Sequence, residues 1–171
     1  LEGGGKNYTI YAGDDAVLTF TATDDSGKLK ELKVVARADL NDNTLNGNFF
    51  GGSQYGTGDI APITGDITAT SANPATITTT IHLKDDLYHT YRNTWQRNVA
   101  AIDNASNMNR PNGLGEIRIT QGRLADRTPG VAPTSTIQVT SLTALTDADK
   151  SKVIAAVSAV NPEVANRIKS Y

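Results

Sequence analysis

The reading of this chain turns on one stretch, Leu87-Tyr88-His89-Thr90-Tyr91-Arg92-Asn93-Thr94-Trp95-Gln96-Arg97-Asn98-Val99-Ala100-Ala101-Ile102-Asp103. It holds the only Trp of the protein, one of its two His and two of its Arg. The pattern predicts a single long β-strand, on which residues two apart share a face. Tyr91, Trp95, Val99 and Ala101 then form a largely apolar face. Thr90, Arg92, Thr94, Gln96 and Asn98 form a polar one. A strand that buries an aromatic stripe and holds out an Arg among hydroxyls and amides suits an anionic, hydroxyl-rich ligand. Alternation separates the two Arg. Arg92 shares the polar face, whereas Arg97 falls on the Trp95/Val99 face unless a bulge intervenes. On the residues alone a plainer reading stands beside this one: Arg92 solvated on a strand, Arg97 in a structural ion pair.

Outward from this stretch the pattern is all-β from Tyr8 to about Thr120. Tyr8 to Tyr11 and Ala16 to Thr23 read as strands, the second placing Leu18 and Phe20 on one face. Asp24-Asp25-Ser26-Gly27 is a turn signal. Strands are expected at 29–38, 67–70, 76–83 and 115–120. A Gly/Asn-rich insertion, 41–59, carries Phe49, Phe50 and Tyr55. It is long for a connection and reads either as a functional loop or as a cover for the sheet edge. A polar loop is expected at 104–112. Short strands between Gly/Asn/Asp turns predict a β-sandwich.

After the Pro-containing stretch 129–133 the character changes. Ser135 to Thr140 reads as a strand. Thr146-Asp147-Ala148-Asp149 resembles a capping box, followed by Val153, Ile154, Val157 and Val160 at helical spacing. Pro162 opens a second short helix with Val164 and Ile168 on one side. This segment is expected to begin a small α+β domain that is incomplete here. The Leu1-Glu2-Gly3-Gly4-Gly5 start reads as a flexible linker or cloning remnant. The expected organisation is therefore 1–5 linker, 6–131 β-sandwich domain and 132–171 the opening of an α+β domain.

Composition narrows the function classes. The 171 residues carry a net charge of −2, which argues against a nucleic-acid partner. No apolar run reaches membrane-spanning length, so no membrane insertion is expected. Without Cys there is no disulfide framework, thiolate metal site or cysteine nucleophile. Abundant Thr, Asn, Asp, Gly and Ser fit an exported bacterial surface protein. Asp39, Asn41 and Asn43 mimic the start of a calcium loop, but Thr44 and Phe50 stand where Gly and Glu are required. A looser site using Asp39, Asp42 or Asp59 is the alternative; the reading carries no metal and no cofactor. No Ser/His/Asp spacing suggests catalysis, and adjacent Asp85 and Asp86 diverge on an extended segment, so no enzyme is expected.

Tyr8-Thr9-Ile10-Tyr11-Ala12-Gly13-Asp14, the Thr21 to Gly27 run with Leu29-Lys30-Glu31-Leu32, and Ala100-Ala101-Ile102-Asp103-Asn104-Ala105-Ser106-Asn107 resemble the ligand-binding region of streptococcal serine-rich repeat adhesins. The resemblance implies a mainly β fold, a V-set immunoglobulin-like (Siglec-like) β-sandwich followed by a small α+β "unique" domain. It also implies non-catalytic binding of sialylated host glycans, with sialic acid α2-3-linked to galactose, on glycoproteins such as salivary mucins and platelet glycoproteins. The module is expected to be monomeric and to belong to a larger protein anchored in the bacterial cell wall. The family carries a short aromatic-Thr-Arg motif on this strand. His89-Thr90-Tyr91-Arg92 is the nearest match and Trp95-Gln96-Arg97-Asn98 the rival. Candidate ligand-binding residues are Thr90, Arg92, Tyr88, Tyr91, Thr94, Gln96 and Arg97. Arg92 with Thr90 is preferred for the carboxylate, while Tyr88 also reads as an immunoglobulin-fold corner residue. The competing reading is a calcium-stabilised cadherin- or immunoglobulin-like spacer, or a protein-binding module.

Overall fold

The computed structural model describes residues 1–4, 6–36, 44–109 and 115–167. Asp39, Asn41, Asp42 and Asn43 of the calcium alternative, the end of the 104–112 loop and Ile168 lie outside them. The chain divides into two compact units, Leu1–Gly122 and Arg123–Tyr171. This division falls ahead of the Pro-containing stretch 129–133, where the sequence pattern changes.

The first unit is mainly β. Its strands are β1 (Glu2–Gly4), β2 (Asn7–Ile10), β3 (Asp15–Ala22), β4 (Lys28–Val35), β5 (Gly56–Thr57), β6 (Ile63–Thr68), β7 (Ala75–Leu83), β8 (Thr94–Ile102) and β9 (Glu116–Gln121). They form two sheets, in the orders β1-β2-β9-β8-β4-β6 and β3-β7-β5. Glu2–Gly4, within the 1–5 stretch expected to lie outside the fold, instead form β1. It pairs antiparallel with β2, and the Tyr11 hydroxyl donates to Glu2 Oε2 at 2.7 Å.

Period-two alternation builds the core. Leu18 and Phe20 of β3 point inward, as do Ile77, Ile81 and Leu83 of β7. Facing them are Leu32 and Val34 of β4, Trp95 and Val99 of β8, and Ile119 of β9. A register shift in the β4–β6 pairing between Leu29 and Glu31 lets Leu29 join Leu32 inside, although the two are an odd number of residues apart. The 41–59 insertion is largely structural where it is described. Leu45, Phe49 and Phe50 are buried in the core, and Gly56–Thr57 pairs with the end of β7. Gly56 has φ 157°, and any Cβ there would run into the His82 carbonyl oxygen. Only glycine allows so close an approach.

The long strand expected over 87–103 is corrected: the ladder begins only at Thr94. Before it, Leu87 N donates to Lys84 O (3.1 Å) and Asn93 N to Thr90 O (3.1 Å). Local bonding of this kind competes with strand pairing. At the other end, Asp103 accepts from Asn107 N (2.7 Å) and Nδ2 (2.8 Å). These amides hold its carboxyl below the usual carboxylate range. The same turn puts Ser106 at φ 69°, a left-handed conformation that favours glycine.

In the second unit, the strand expected over 135–140 is absent; the segment has no ladder partner among the described residues. The second short helix is a turn followed by a 3-10 helix, Ala165–Arg167. Besides the four-residue α1 (Leu124–Arg127), the unit holds α2 (Asp147–Val160), which starts with the expected capping box. Thr146 Oγ1 accepts from Asp149 N (3.1 Å), and the Thr146 hydroxyl donates to Asp149 Oδ2 (2.7 Å). That hydroxyl, with Thr140 adding to it, holds the Asp149 carboxyl below its ordinary range. A depressed carboxylate stabilises the fold above its unfolded pKa, and the contribution is lost as pH falls through the folded pKa. The helical circular dichroism signal is therefore expected to persist down to the carboxylate range and fail in stronger acid. Asp149→Asn should remove that acid limb; an unchanged limb in the variant refutes the assignment.

Candidate functional site

The start of β8 is pinned by two buried or half-buried amides. Asn93 Nδ2 donates to Gln121 Oε1 (2.6 Å) and Tyr88 O (3.2 Å). Gln121, 2% exposed, donates through Nε2 to Leu87 O at 3.0 Å. These bonds tie the 87–93 loop to β9 and fix where Arg92 leaves the backbone. The Arg92 side chain lies on Tyr91: its Nε donates to Tyr91 Oη (3.0 Å), and the guanidinium is 5.4 Å from the ring centroid. Arg92 is exposed, and no acceptor among the described residues engages its Nη atoms.

Arg97 differs in every respect. It points to the inner face with Trp95, as alternation requires, and is 5% exposed. Its Nε and Nη2 donate to Phe49 O, with the Nε bond at 2.8 Å, and Nη1 donates to Gln96 O (2.9 Å). The guanidinium sits 5.1 Å from the Phe49 ring centroid. Burial pulls its pKa down to about 10, so it remains charged at neutral pH. Carbonyl oxygens satisfy its donors, and among the described residues no carboxylate pairs with it. A buried charge without a counter-ion costs free energy that an incoming anion recovers.

The opposite wall is held by the described part of the insertion. Asn48 Nδ2 donates to Gly56 O (2.9 Å) and Phe50 N to Asn48 Oδ1 (2.8 Å). Phe50 and Tyr55 meet Trp95 edge-on, with centroids at 4.8 and 5.6 Å. Between this wall and the start of β8 lies a cleft of about 580 Å³, within the range of small-molecule sites. Arg97 lies at its floor; Arg92 and Arg118 of β9 flank it, with Thr94 and Gln96 between. Among the described lining residues there is no Asp, Glu, His, Cys or Ser. Such a cleft can attract and hydrogen-bond an anion bearing hydroxyls.

Of the residues expected to form a site, Arg92, Thr94, Gln96 and Arg97 line this cleft. Thr90, Tyr88 and Tyr91 do not. Tyr88 and Tyr91 are 83% and 80% exposed, and Tyr91 acts as a platform for Arg92. Sequence reasoning missed Arg118, which lies directly across from Gln96 on β9. Only the β8–β9 register could have brought it in. Among the described residues no helix is long and apolar enough to cross a membrane, and no group of three or more His, Cys, Asp or Glu could hold a metal ion.

No family model matches the chain, and no curated protein matches it in sequence. Among solved structures it is similar to the sialic acid binding region of the Streptococcus sanguinis SK1 adhesin bound to 3'sLn. The TM-score is 0.58 at 22% identity over 94% of this chain, which spans 38% of the length of that one. It is similar to the SrpA adhesin from Streptococcus sanguinis, with TM-score 0.56 and 23% identity over 93% of this chain and 74% of that one. A point mutant of SrpA gives 0.54 at 24% identity over 91% and 75%. The fold of this chain is that of streptococcal adhesin binding regions, as its sequence resemblance implies.

Proposed function

We propose that this chain is a non-catalytic adhesin module that binds sialylated glycans through the cleft at the start of β8. The observation carrying the reading is Arg97: a buried permanent cation, bonded only to carbonyls among the described residues, at the floor of a polar cleft. A terminal sialic acid brings one carboxylate, several hydroxyls and an amide. Arg92 grips the carboxylate with two parallel charge-assisted hydrogen bonds, over the fixed charge of Arg97. Thr94, Gln96 and Asn93 read hydroxyls. Likeness to sialic-acid-binding regions supports the ligand class, and the sequence resemblance supports an α2-3 linkage to galactose. By the same resemblance the partners are glycoproteins such as salivary mucins and platelet glycoproteins. By that resemblance the module is displayed on a bacterial cell surface as part of a longer protein, with a V-set sandwich followed by a small α+β domain. A shallow polar site gives weak single contacts, and strength comes from many copies.

A glycan array tests this. Binding to sialylated glycans that disappears after sialidase treatment supports the proposal. Binding indifferent to sialidase refutes it, and a calcium-dependent rise in melting temperature without glycan binding would favour a spacer module. Arg92→Glu is expected to weaken the sialoglycan at least about tenfold, since a hydrogen bond to a charged group contributes about 1.5–3 kcal/mol. Unchanged affinity in that variant would move the grip to Arg97 alone.

A further inference from the structure

We infer that β3 is the contact edge of a two-fold homodimer, in which a second copy of this chain adds its own β3 antiparallel to the first. The inference stands apart from the glycan reading and replaces the expected monomer. It starts from the strand edges that the two sheets leave. A bare edge offers unpaired N–H and C=O groups to another strand, and proteins blunt it with brevity, charge, proline or a bulge. β1 has three residues and β5 two. β6 carries the register shift against β4 and the Lys28–Asp66 ion pair at 3.0 Å. β3 has none of these devices. Asp15–Ala22 pairs with β7 over all eight residues without a shift. After Asp15 the strand holds no charge and no Pro.

The ladder with β7 decides which groups the edge presents. Leu83 N donates to Asp14 O at 2.9 Å. Bonded and non-bonded positions alternate along an antiparallel pair. The N–H and C=O of Asp15, Val17, Thr19 and Thr21 therefore point away from β7, and among the described residues no backbone bond takes them up. The same four side chains are exposed, Val17 by 66%. Self-pairing must set the inward Leu18 and Phe20 against inward residues of the partner. A two-fold axis at Leu18 does so. It sets Asp15 against the partner's Thr21 and Val17 against the partner's Thr19, so that all four edge residues pair through about eight backbone hydrogen bonds. An axis at Thr19 also matches the faces but leaves Asp15 opposite Thr23, beyond the end of β3. Charge selects the same direction. Parallel strands would put the two Asp15 carboxylates side by side. The antiparallel pair holds them roughly 20 Å apart and gives each a threonine hydroxyl as donor. Two three-stranded sheets become one of six strands through an isologous contact.

Sedimentation equilibrium of the intact chain at rising concentration is the test. The wild-type chain is expected to pass from one chain mass to two. V17P removes an edge N–H that β7 does not use, a place where a strand tolerates proline. It should weaken association at least about tenfold, with circular dichroism showing that the fold is kept. T78K puts a charge on the same outer face one strand in, opposite Thr19, and should leave association unchanged. The chain has no Cys, so V17C mixed with T19C under mild oxidation should cross-link more than either variant alone. That readout leaves the backbone of β3 untouched. A wild-type chain that stays monomeric at every concentration overturns the inference. So does association that survives V17P, is lost in T78K or runs on past the dimer. T19C linking to itself more than to V17C overturns the axis at Leu18.

Discussion

Trp95→Ala is expected to lower the unfolding free energy by about 3–5 kcal/mol, the range for truncating a large buried aromatic. Trp95 is 6% exposed and begins a run of ring contacts. It meets Phe50 edge-on, Phe50 meets Phe49 at 5.4 Å and 86°, and Phe49 stacks on Phe20 of β3 at 6.5 Å. Truncation opens a cavity and also loosens the wall that Phe50 and Tyr55 form along the cleft. Against a typical total stability of about 5–15 kcal/mol, the loss is large. Denaturant melts followed by circular dichroism measure it; a drop below about 1 kcal/mol would show that the ring contacts are peripheral. Trp95→Phe keeps an edge contact and should recover most of the loss. Trp95 is the only tryptophan and lines the cleft. Its fluorescence should therefore shift when a glycan binds the wild-type chain.

Arg97→Met is expected to abolish sialoglycan binding while leaving a folded protein. The stability change is the difference of two effects. Phe49 O and Gln96 O lose their donors, at about 1–3 kcal/mol for each group left unsatisfied. Removing a charge whose burial pulls its pKa down to about 10 offsets part of this. A net loss of about 1–3 kcal/mol is expected. Arg97→Lys should fall between, because a single ammonium does not reproduce the fork that bridges two carbonyls. Glycan binding that persists in Arg97→Met, measured on protein with a normal circular dichroism spectrum, would place the sialic acid outside the cleft.

Much of the sandwich was legible because alternation is local. Leu18 and Phe20, Ile77 and Ile81, and Trp95 and Val99 declare their buried faces within a few residues. Alternation also placed Arg97 with Trp95. The start of β8 was not legible. Nothing between Leu87 and Asn93 announces a turn, and part of what holds it, the Gln121 side chain, lies far along the chain. Arg118 was invisible for the same reason, since its meaning depends on a cross-strand register. Glu2–Gly4 read as a linker because glycines carry no periodic signal; what orders them is the edge of β2 and the Tyr11 hydroxyl. The strand expected at 135–140 failed through context: its Thr, Ile and Val have strand propensity but find no partner strand among the described residues.

The parallel pairing of β2 with β9 has a mechanical consequence. Asn7 to Ile10 lie beside Arg118 to Gln121 in the same direction. Tension applied between the beginning of β2 and the end of β9 therefore pulls the two strands along their length in opposite senses. Their hydrogen bonds are loaded together, in shear. The antiparallel β1–β2 pairing lies outside that load path; a pull applied at Glu2 instead peels it open one residue pair at a time before the shear contact is loaded. Stretched from Glu2, the first unit gives up its outermost strand at low force and holds its remaining sheet, the cleft included, until the shear contact fails as a whole.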